Sequence, residues 1–325
     1  MRVLIWHVHG SWTTAFVQGG HDYLVPVTPD RGEDGRGRAR TWDWPASVRE
    51  VTPEQLDEEE VDVVVLQRPH ELALAARWLG RRPGVDVPAV YVEHNTPVGD
   101  VPCTRHVLAD QRTIPIVHVT GFNELIWDCG SARTLVIEHG VVDPGERYTG
   151  EIARAAVVVN EPVRRGRFVG TDLVRRLARK HPIDVFGMQV GELATPVQEE
   201  DAPGIRTFED LPQARMHEEL ARRRVYLHTP RWTSLGLSLV EAMTLGMPIV
   251  TVASTEAPLA VPREAGVVAC RVSDLAAGVR RFLRDPEAAR LAGKTARTHA
   301  LERYGLPRFL RDWDHLLHET ATRRP

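Results

Sequence analysis

Residues Thr233 to Val250, TSLGLSLVEAMTLGMPIV, set a single acid, Glu241, among small and apolar neighbours. The pattern reads as Thr/Ser and Gly opening a helix, a Gly-Met-Pro turn closing it, and a β-branched strand after it. With Ser234 or Thr233 as the cap, Gly236, Leu237 and Ser238 fall in the first turn, where backbone N–H groups lack intrahelical acceptors. Gly236 carries no Cβ, so a ligand can come close to the backbone. Helix dipole and open N–H groups together make an anion site. Glu241 then lies roughly 7–8 Å along the axis from Gly236, at 1.5 Å per residue. That separation suits a nucleoside diphosphate, with phosphate at the helix start and ribose hydroxyls on the carboxylate. The alternative for the same residues is a plain core helix with a satisfied structural acid.

Two other stretches carry chemistry. After the run Val157–Val159, the basic loop Arg164-Arg165-Gly166-Arg167 offers guanidinium groups, which are permanently charged and grip a diphosphate bidentately. In YVEHNTPVGD, His94 and Asn95 stand at the carboxyl end of a strand, the edge where α/β sheets place ligands. The first strand, in IWHVHGSW, ends at Gly10. His7 and His9 alternate there and share a face. With no third ligand in view they read as strand-end polar residues, so no metal is expected.

The elements that must position these residues alternate in type. β-branched runs fit at 3–8, 23–27, 61–66, 89–92, 116–119 and 134–137, and again at 156–159, 183–186, 225–227, 248–252 and 267–269. Helical patterns fit at 71–79, 170–180, 213–223, 234–245, 272–283, 286–303 and 307–322. Strands apolar on both faces and separated by helices predict parallel sheets, and the pattern occurs twice. The expected fold is α/β, with two doubly wound Rossmann-like domains. The boundary falls in the Gly/Pro/charge-rich stretch Glu138 to Arg154, giving domains 1–148 and 149–304 and a final helix over 305–325. TPDRGEDGRGRARTW, Thr28 to Trp42, reads as a solvated or mobile loop, with acceptor binding as the alternative.

Bulk properties narrow the function classes. A length of 325 residues suits about two domains. A net charge of -3 gives no reason to expect a nucleic-acid partner. No apolar window reaches the length of a membrane-spanning helix, and no cleavable leader is legible at the start. The 3 cysteines, Cys103, Cys129 and Cys270, form neither a metal spacing nor a disulfide framework, which points to a cytoplasmic location; peripheral membrane contact stays open.

TPRWTSLGLSLVEAMTLGMPIVT resembles the signature of the retaining glycosyltransferases of the GT-B fold, family 4, roughly P-S-x-x-E-G-F-G-L-x-x-L-E-A-M-A-x-G-x-P-V-V. Gly236, Leu237, Glu241, Ala242, Met243, Gly246 and Pro248 stand in register. Arg165-Gly166 sits where the family has Lys-Gly, and YGLPRFLRDWDHLL looks like its last helix, which crosses back to the first domain. The resemblance implies a GT-B architecture with two domains facing a central cleft. It implies a hexosyltransferase-type enzyme, independent of metal and cofactor, that moves sugar with retention from a nucleoside-diphosphate sugar to a small-molecule, glycan or lipid-linked acceptor. Under it, Glu241 holds the ribose, and Arg164, Arg165, Arg167, Gly236, Leu237 and Ser238 hold the diphosphate. Thr207, Phe208 and Leu211 lie near the base, and Thr233, Ser234 and Leu235 near the sugar. His94 and Gly10 serve the transferred sugar from the other domain. This chain departs from the signature at Thr233, which replaces the family's first acid. That departure supports one rival, a non-catalytic nucleotide- or glycan-binding protein; it argues against the other, a sugar-nucleotide epimerase, which shares the fold and relies on several carboxylates near the sugar.

Overall fold

The computed structural model describes residues 1–194 and 204–322. The chain divides into two compact units, Met1–Val142 with Leu306–Pro325, and Asp143–Gly305. The first unit is built on a seven-stranded parallel sheet: β1 (Arg2–Ile5), β2 (Asp22–Pro26), β3 (Val48–Val51), β4 (Val63–Leu66), β5 (Ala89–Glu93), β6 (Ile116–His118) and β7 (Thr134–Val136), in the order β3-β2-β1-β4-β5-β6-β7. The all-apolar β4 is buried along its whole length, as a strand covered on both faces must be. Its helices are α1 (Gly10–Phe16), α2 (Pro53–Leu56), α3 (Glu71–Leu79) and α4 (Gly121–Ile126). Local chemistry sets their starts. Thr52 and Gln55 form a reciprocal capping box on α2, and Thr120 Oγ1 accepts from Asn123 N at 3.1 Å on α4.

The second unit is a six-stranded parallel sheet of β8 (Ile152–Val158), β9 (Ile183–Gly187), β10 (Ile205–Glu209), β11 (Arg223–His228), β12 (Ile249–Val252) and β13 (Gly266–Ala269), in the order β10-β9-β8-β11-β12-β13. It carries α5 (Pro162–Arg165), α6 (Thr171–Ala178), α7 (Gln213–Arg222), α8 (Leu237–Thr244), α9 (Ala257–Ala260), α10 (Val272–Arg284) and α11 (Pro286–Tyr304). Val157, Val185, Leu227, Val250, Leu275 and Phe282 belong to its core. Residues 143–148 sit in this unit rather than the first. There Tyr148 N donates to Leu245 O at 3.1 Å and Tyr148 Oη to Arg224 O at 2.8 Å.

The last helix, α12 (Leu306–Thr322), returns to the first unit, where Trp313 packs edge-on against Trp12 at 5.6 Å and Phe16 at 5.1 Å. The remainder of the expected final helix, 323–325, lies outside the described residues.

β3 escapes the sequence reading. It is an edge strand of four residues whose middle two are polar, so neither length nor apolarity marks it. A buried ion cluster was also not anticipated. The fully buried Asp184 carboxylate on β9 takes Arg223 Nε at 2.8 Å and Arg154 Nε closer still, and Arg223 Nη1 reaches Glu219 Oε2 at 2.5 Å.

Candidate functional site

Both sheets have the doubly wound order, so each has one place where the chain reverses its direction of winding. Ligands of such sheets bind beyond the carboxyl ends of the strands at that place. In the second unit it lies between β8 and β11. After β8, Arg164 and Arg165 close the short helix α5 and Arg167 lies in the tight turn that follows it, so the expected basic loop is in part helical; the loop after β11 runs through Thr233 to Gly236. The two stretches are stitched together. Arg231 N donates to Phe168 O at 2.9 Å, Arg231 Nη1 to Arg167 O at 3.0 Å, and Thr229 Oγ1 to Val169 O at 2.9 Å.

The three arginines are not equivalent. Arg164 binds Glu161 through two nitrogens, and Arg167 Nη1 meets Asp172 Oδ2 at 3.0 Å. Asp172 is shared with Arg231, which was not singled out from sequence, through contacts of 2.6 and 2.8 Å. Arg165 has no ion pair among the described residues; its Cζ lies 5.9 Å from the Phe168 ring centroid. Arg165 is exposed at its surface, yet partial desolvation, and after it the Arg164 charge, hold its guanidinium below the usual range. An anion there would relieve both effects. Gly166 turns with φ of 50°, in the left-handed region that favours glycine.

The start of α8 differs from the expected one. Gly236 itself is the N-cap, so the first turn begins at Leu237, and no side chain caps it. Ser234 and Leu235 are buried and Thr233 is half-buried. The reason for glycine differs too. A Cβ on Gly236 would lie 2.6 Å from Cε1 of His228, so the residue makes room for that ring. His228 closes β11, is buried, and is held by desolvation at about 4. A lone histidine ending an apolar run gave no signal in the sequence.

Glu241 is 6% exposed on α8, and its Oε2 lies 3.5 Å from Nε2 of His217, a buried residue of α7 that was also missed. Ser238 Oγ accepts from Tyr226 Oη at 3.0 Å. Thr207 and Phe208 lie on β10 and Leu211 just after it, all half-buried. Phe208 stacks on Phe186 at 4.5 Å, with the Arg223 guanidinium 4.7 Å from its centroid.

In the first unit the reversal lies between β1 and β4. His9 and Gly10 follow β1, Gln67 follows β4 and His94 follows β5. His94 is buried, its Nε2 3.0 Å from Gln67 Oε1, its ring 4.1 Å from that of His9 and edge-on to Trp12 at 4.9 Å. Desolvation, then the neighbouring His9 and His139, press its pKa well below the usual value. Gly10 opens α1, and a Cβ there would meet nothing nearer than Trp42 Nε1 at 3.7 Å; packing does not demand glycine at this position. The 28–42 loop is pinned rather than loose. Arg31 is bidentate to Glu50 at 2.9 and 3.0 Å, Arg38 donates to Trp44 O at 2.7 Å, and His7 Nδ1 lies 3.0 Å from Gly37 O. A cavity of about 240 Å³ beside α12, bordered by His21, Tyr23, Trp313 and Asp314, lies near the amino end of β2, away from the ligand edge. No group of three or more His, Cys, Asp or Glu able to hold a metal ion occurs among the described residues, and no helix among them is long and apolar enough to cross a membrane.

The neutral histidines give a pH prediction. His118 and His228, both buried, are held near about 4 against an ordinary 6.5. Unfolding exposes them, so between those two values the unfolded chain binds more protons than the folded one. Stability therefore falls as pH is lowered through that window, by at most ~1.4 kcal/mol per pH unit for each ring. Thermal melts from pH 7.5 down to 4.5 read this directly. The expected result is a steadily falling melting temperature, and a flat profile would refute buried neutral rings.

The comparisons with known proteins agree with this layout. Residues 199–299 match the family model described as Glycosyl transferases group 1. The matched segment is similar to the group 1 glycosyl transferases and spans about a third of the chain. It contains β10 and the whole α8 motif with Glu241; its first five residues lie outside the described ones, and the basic stretch Arg164–Arg167 precedes it. Sucrose-phosphate synthase from Thermosynechococcus elongatus superposes with a TM-score of 0.71 at 11% identity, covering 98% of both chains. Anabaena HepE in complex with UDP-glucose gives 0.67 at 13% identity, over 98% of this chain and 100% of that one. A glycosyltransferase from Rickettsia africae gives 0.65 at 12% identity, over 99% and 98%. At such identities the likeness establishes the fold, which is GT-B. No curated protein matches the sequence significantly.

Proposed function

We propose that the chain is a retaining, metal-independent glycosyltransferase that takes a hexose from a nucleoside-diphosphate sugar and transfers it to an acceptor hydroxyl. The observation that carries this reading is Arg165, an arginine with no ion pair among the described residues, at the end of α5 after β8, the strand next to the one that leads into the start of α8, which no side chain caps. Arg165 and the first N–H groups of α8 at Leu237 and Ser238 take the diphosphate. Arg164 and Arg167 tune the field around it. Negative charge grows on the leaving diphosphate as the glycosidic bond breaks, and a fixed guanidinium with oriented N–H groups stabilises that charge without reorganising. Glu241 accepts hydrogen bonds from the ribose hydroxyls, oriented by His217. Thr207, Phe208 and Leu211 flank the base, and Thr233, Ser234 and Leu235 are assigned to the sugar. His94 and Gly10 are assigned to the transfer step. The diphosphate oxygen itself draws off the acceptor proton, so no carboxylate pair is required.

Thr233 supports a second reading, a protein that binds the nucleotide without turnover, because a hydroxyl cannot offset developing positive charge on the sugar. HepE, solved with UDP-glucose, makes uridine nucleotides the first ligands to try. The test is UDP affinity of Glu241→Ala by calorimetry. Loss of a charged acceptor for two hydroxyls predicts about 10- to 100-fold weaker binding. Wild-type affinity in the variant would remove Glu241 from the site.

A further inference from the structure

We propose that the 28–42 loop and Gly10 form an anion site in the first unit, which takes a polyol carrying a phosphate or carboxylate group through Arg36 and Trp42. Naming that polyol as the sugar acceptor rests on the transferase reading; the site itself does not. It lies at the ligand edge of the first sheet. The 28–42 loop follows β2, Gly10 follows β1, and these strands are neighbours beside the point where the winding reverses. The candidate diphosphate site is built from other residues, in the second unit.

Arg36 is fixed by its backbone rather than by its side chain. Val27 and Arg36 form an antiparallel bridge, and Gly37 N donates to Pro26 O at 3.0 Å. Arg36 O accepts from Arg31 Nη1 at 3.1 Å, and Arg31 is itself held by Glu50. The Arg36 guanidinium is exposed, with neither ion pair nor hydrogen bond among the described residues. Glu33 and Asp34, the acids nearest to it in the chain, are held by Arg68 at 3.1 Å each. The Arg36 charge reaches inward instead. Desolvation, then Arg68 and Arg36, hold the His9 ring at about 4, so the field at the end of β1 is positive.

Trp42 supplies a second donor. It is half-buried, and its indole Nε1 has no hydrogen-bond partner among the described residues. That nitrogen lies 3.7 Å from the point a Cβ on Gly10 would occupy, and His7 Nε2 lies 4.0 Å from the same point. A guanidinium and an indole N–H only donate, so together they select oxygens, negatively charged ones above all. His7 adds the opposite polarity. Its Nδ1 is 3.0 Å from Gly37 O, which only accepts, so the neutral ring carries its proton there and keeps a lone pair on Nε2. That lone pair suits a hydroxyl hydrogen. A fixed cation, a donor and a lone pair around one glycine fit a hydroxylated anion.

In protein labelled with 15N-tryptophan, the Trp42 indole signal, identified by its loss in Trp42→Phe, should shift saturably with inorganic phosphate. It should respond to glycerol phosphate far more strongly than to glycerol. Arg36→Ala should weaken both phosphate responses about 10- to 100-fold, the worth of a charge-assisted contact. Arg165→Ala, in the second unit, should retain them. A Trp42 signal indifferent to phosphate, or equally responsive in Arg36→Ala, overturns the proposal whatever the protein catalyses. The second readout is turnover with paired acceptors that differ only in a phosphate group. The wild type should favour the phosphorylated member, and Arg36→Ala should lose that preference. A wild type that favours the neutral member overturns the proposal and leaves the transferase reading standing. A phosphate response at Trp42 with no donor consumed sinks the transferase reading alone. A lipid headgroup and a soluble sugar phosphate share this chemistry. Flotation with vesicles of phosphatidylglycerol and phosphatidylcholine, absent with phosphatidylcholine alone and lost in Arg36→Ala, assigns the headgroup; a glycerol phosphate response without flotation assigns the soluble ligand.

Discussion

Arg165→Ala is expected to slow nucleotide-sugar consumption about 100-fold or more, without lowering the melting temperature. The side chain is exposed, has no ion pair among the described residues, and lies 5.9 Å from the Phe168 ring centroid, so its loss costs the fold little. The same lack of a carboxylate partner leaves its charge undivided for a ligand. Arg164 and Arg167 provide the internal comparison. Each already shares its charge with Glu161 or Asp172, so alanine at either position should have a smaller effect. Steady-state rates and UDP affinities of the three variants give a ranking, with Arg165 first. A ranking led by Arg167 would move the diphosphate toward Asp172 and Arg231, and the clamp would have to be redrawn.

Asp184→Asn is expected to destabilise the second unit by about 3–5 kcal/mol, the usual cost of stranding a buried charge. Asp184 is wholly buried between two arginines, and Arg223 is itself 3% exposed. An amide can replace one acceptor oxygen but not the charge. Glu219 would remain as partial compensation for Arg223, while Arg154 would have none from this cluster. Glu287→Gln on α11 is the control, because its pair with Arg290 is exposed on both sides and screened by solvent. Urea unfolding of the variants, read on the first transition since a two-unit chain need not unfold in one step, separates the two costs. An Asp184→Asn loss no larger than that of Glu287→Gln would show the cluster to be solvated.

The legible part of this protein was the part written in local spacing. α3 matches its expected range of 71–79, because apolar periodicity and a following Gly80 both mark it. β4 was legible because a fully covered parallel strand must be apolar throughout. The placement of Glu241 beyond Gly236 carried the donor-site expectation and points to the segment that the family model matches. What failed depended on tertiary contact. The cap of α8 moved from Ser234 or Thr233 to Gly236, because Ser234 is buried and His228 fills the space beside the glycine. His217 joins Glu241 from a helix 24 positions earlier in the chain, and Gln67 meets His94 across 27. No window of sequence shows such pairs. The three arginines of Arg164-Arg165-Gly166-Arg167 look alike as letters, and the positions of Glu161 and Asp172 tell them apart.

The most direct test of the central claim is mass-spectrometric turnover of the purified protein on UDP-, GDP- and dTDP-sugars, without acceptor and with acceptors drawn from a cell lysate. The account predicts that one donor is consumed with release of its nucleoside diphosphate, slowly to water and faster with an acceptor. Nucleotides that bind but are never consumed would contradict it, and would leave a GT-B protein in which Thr233 marks lost catalysis.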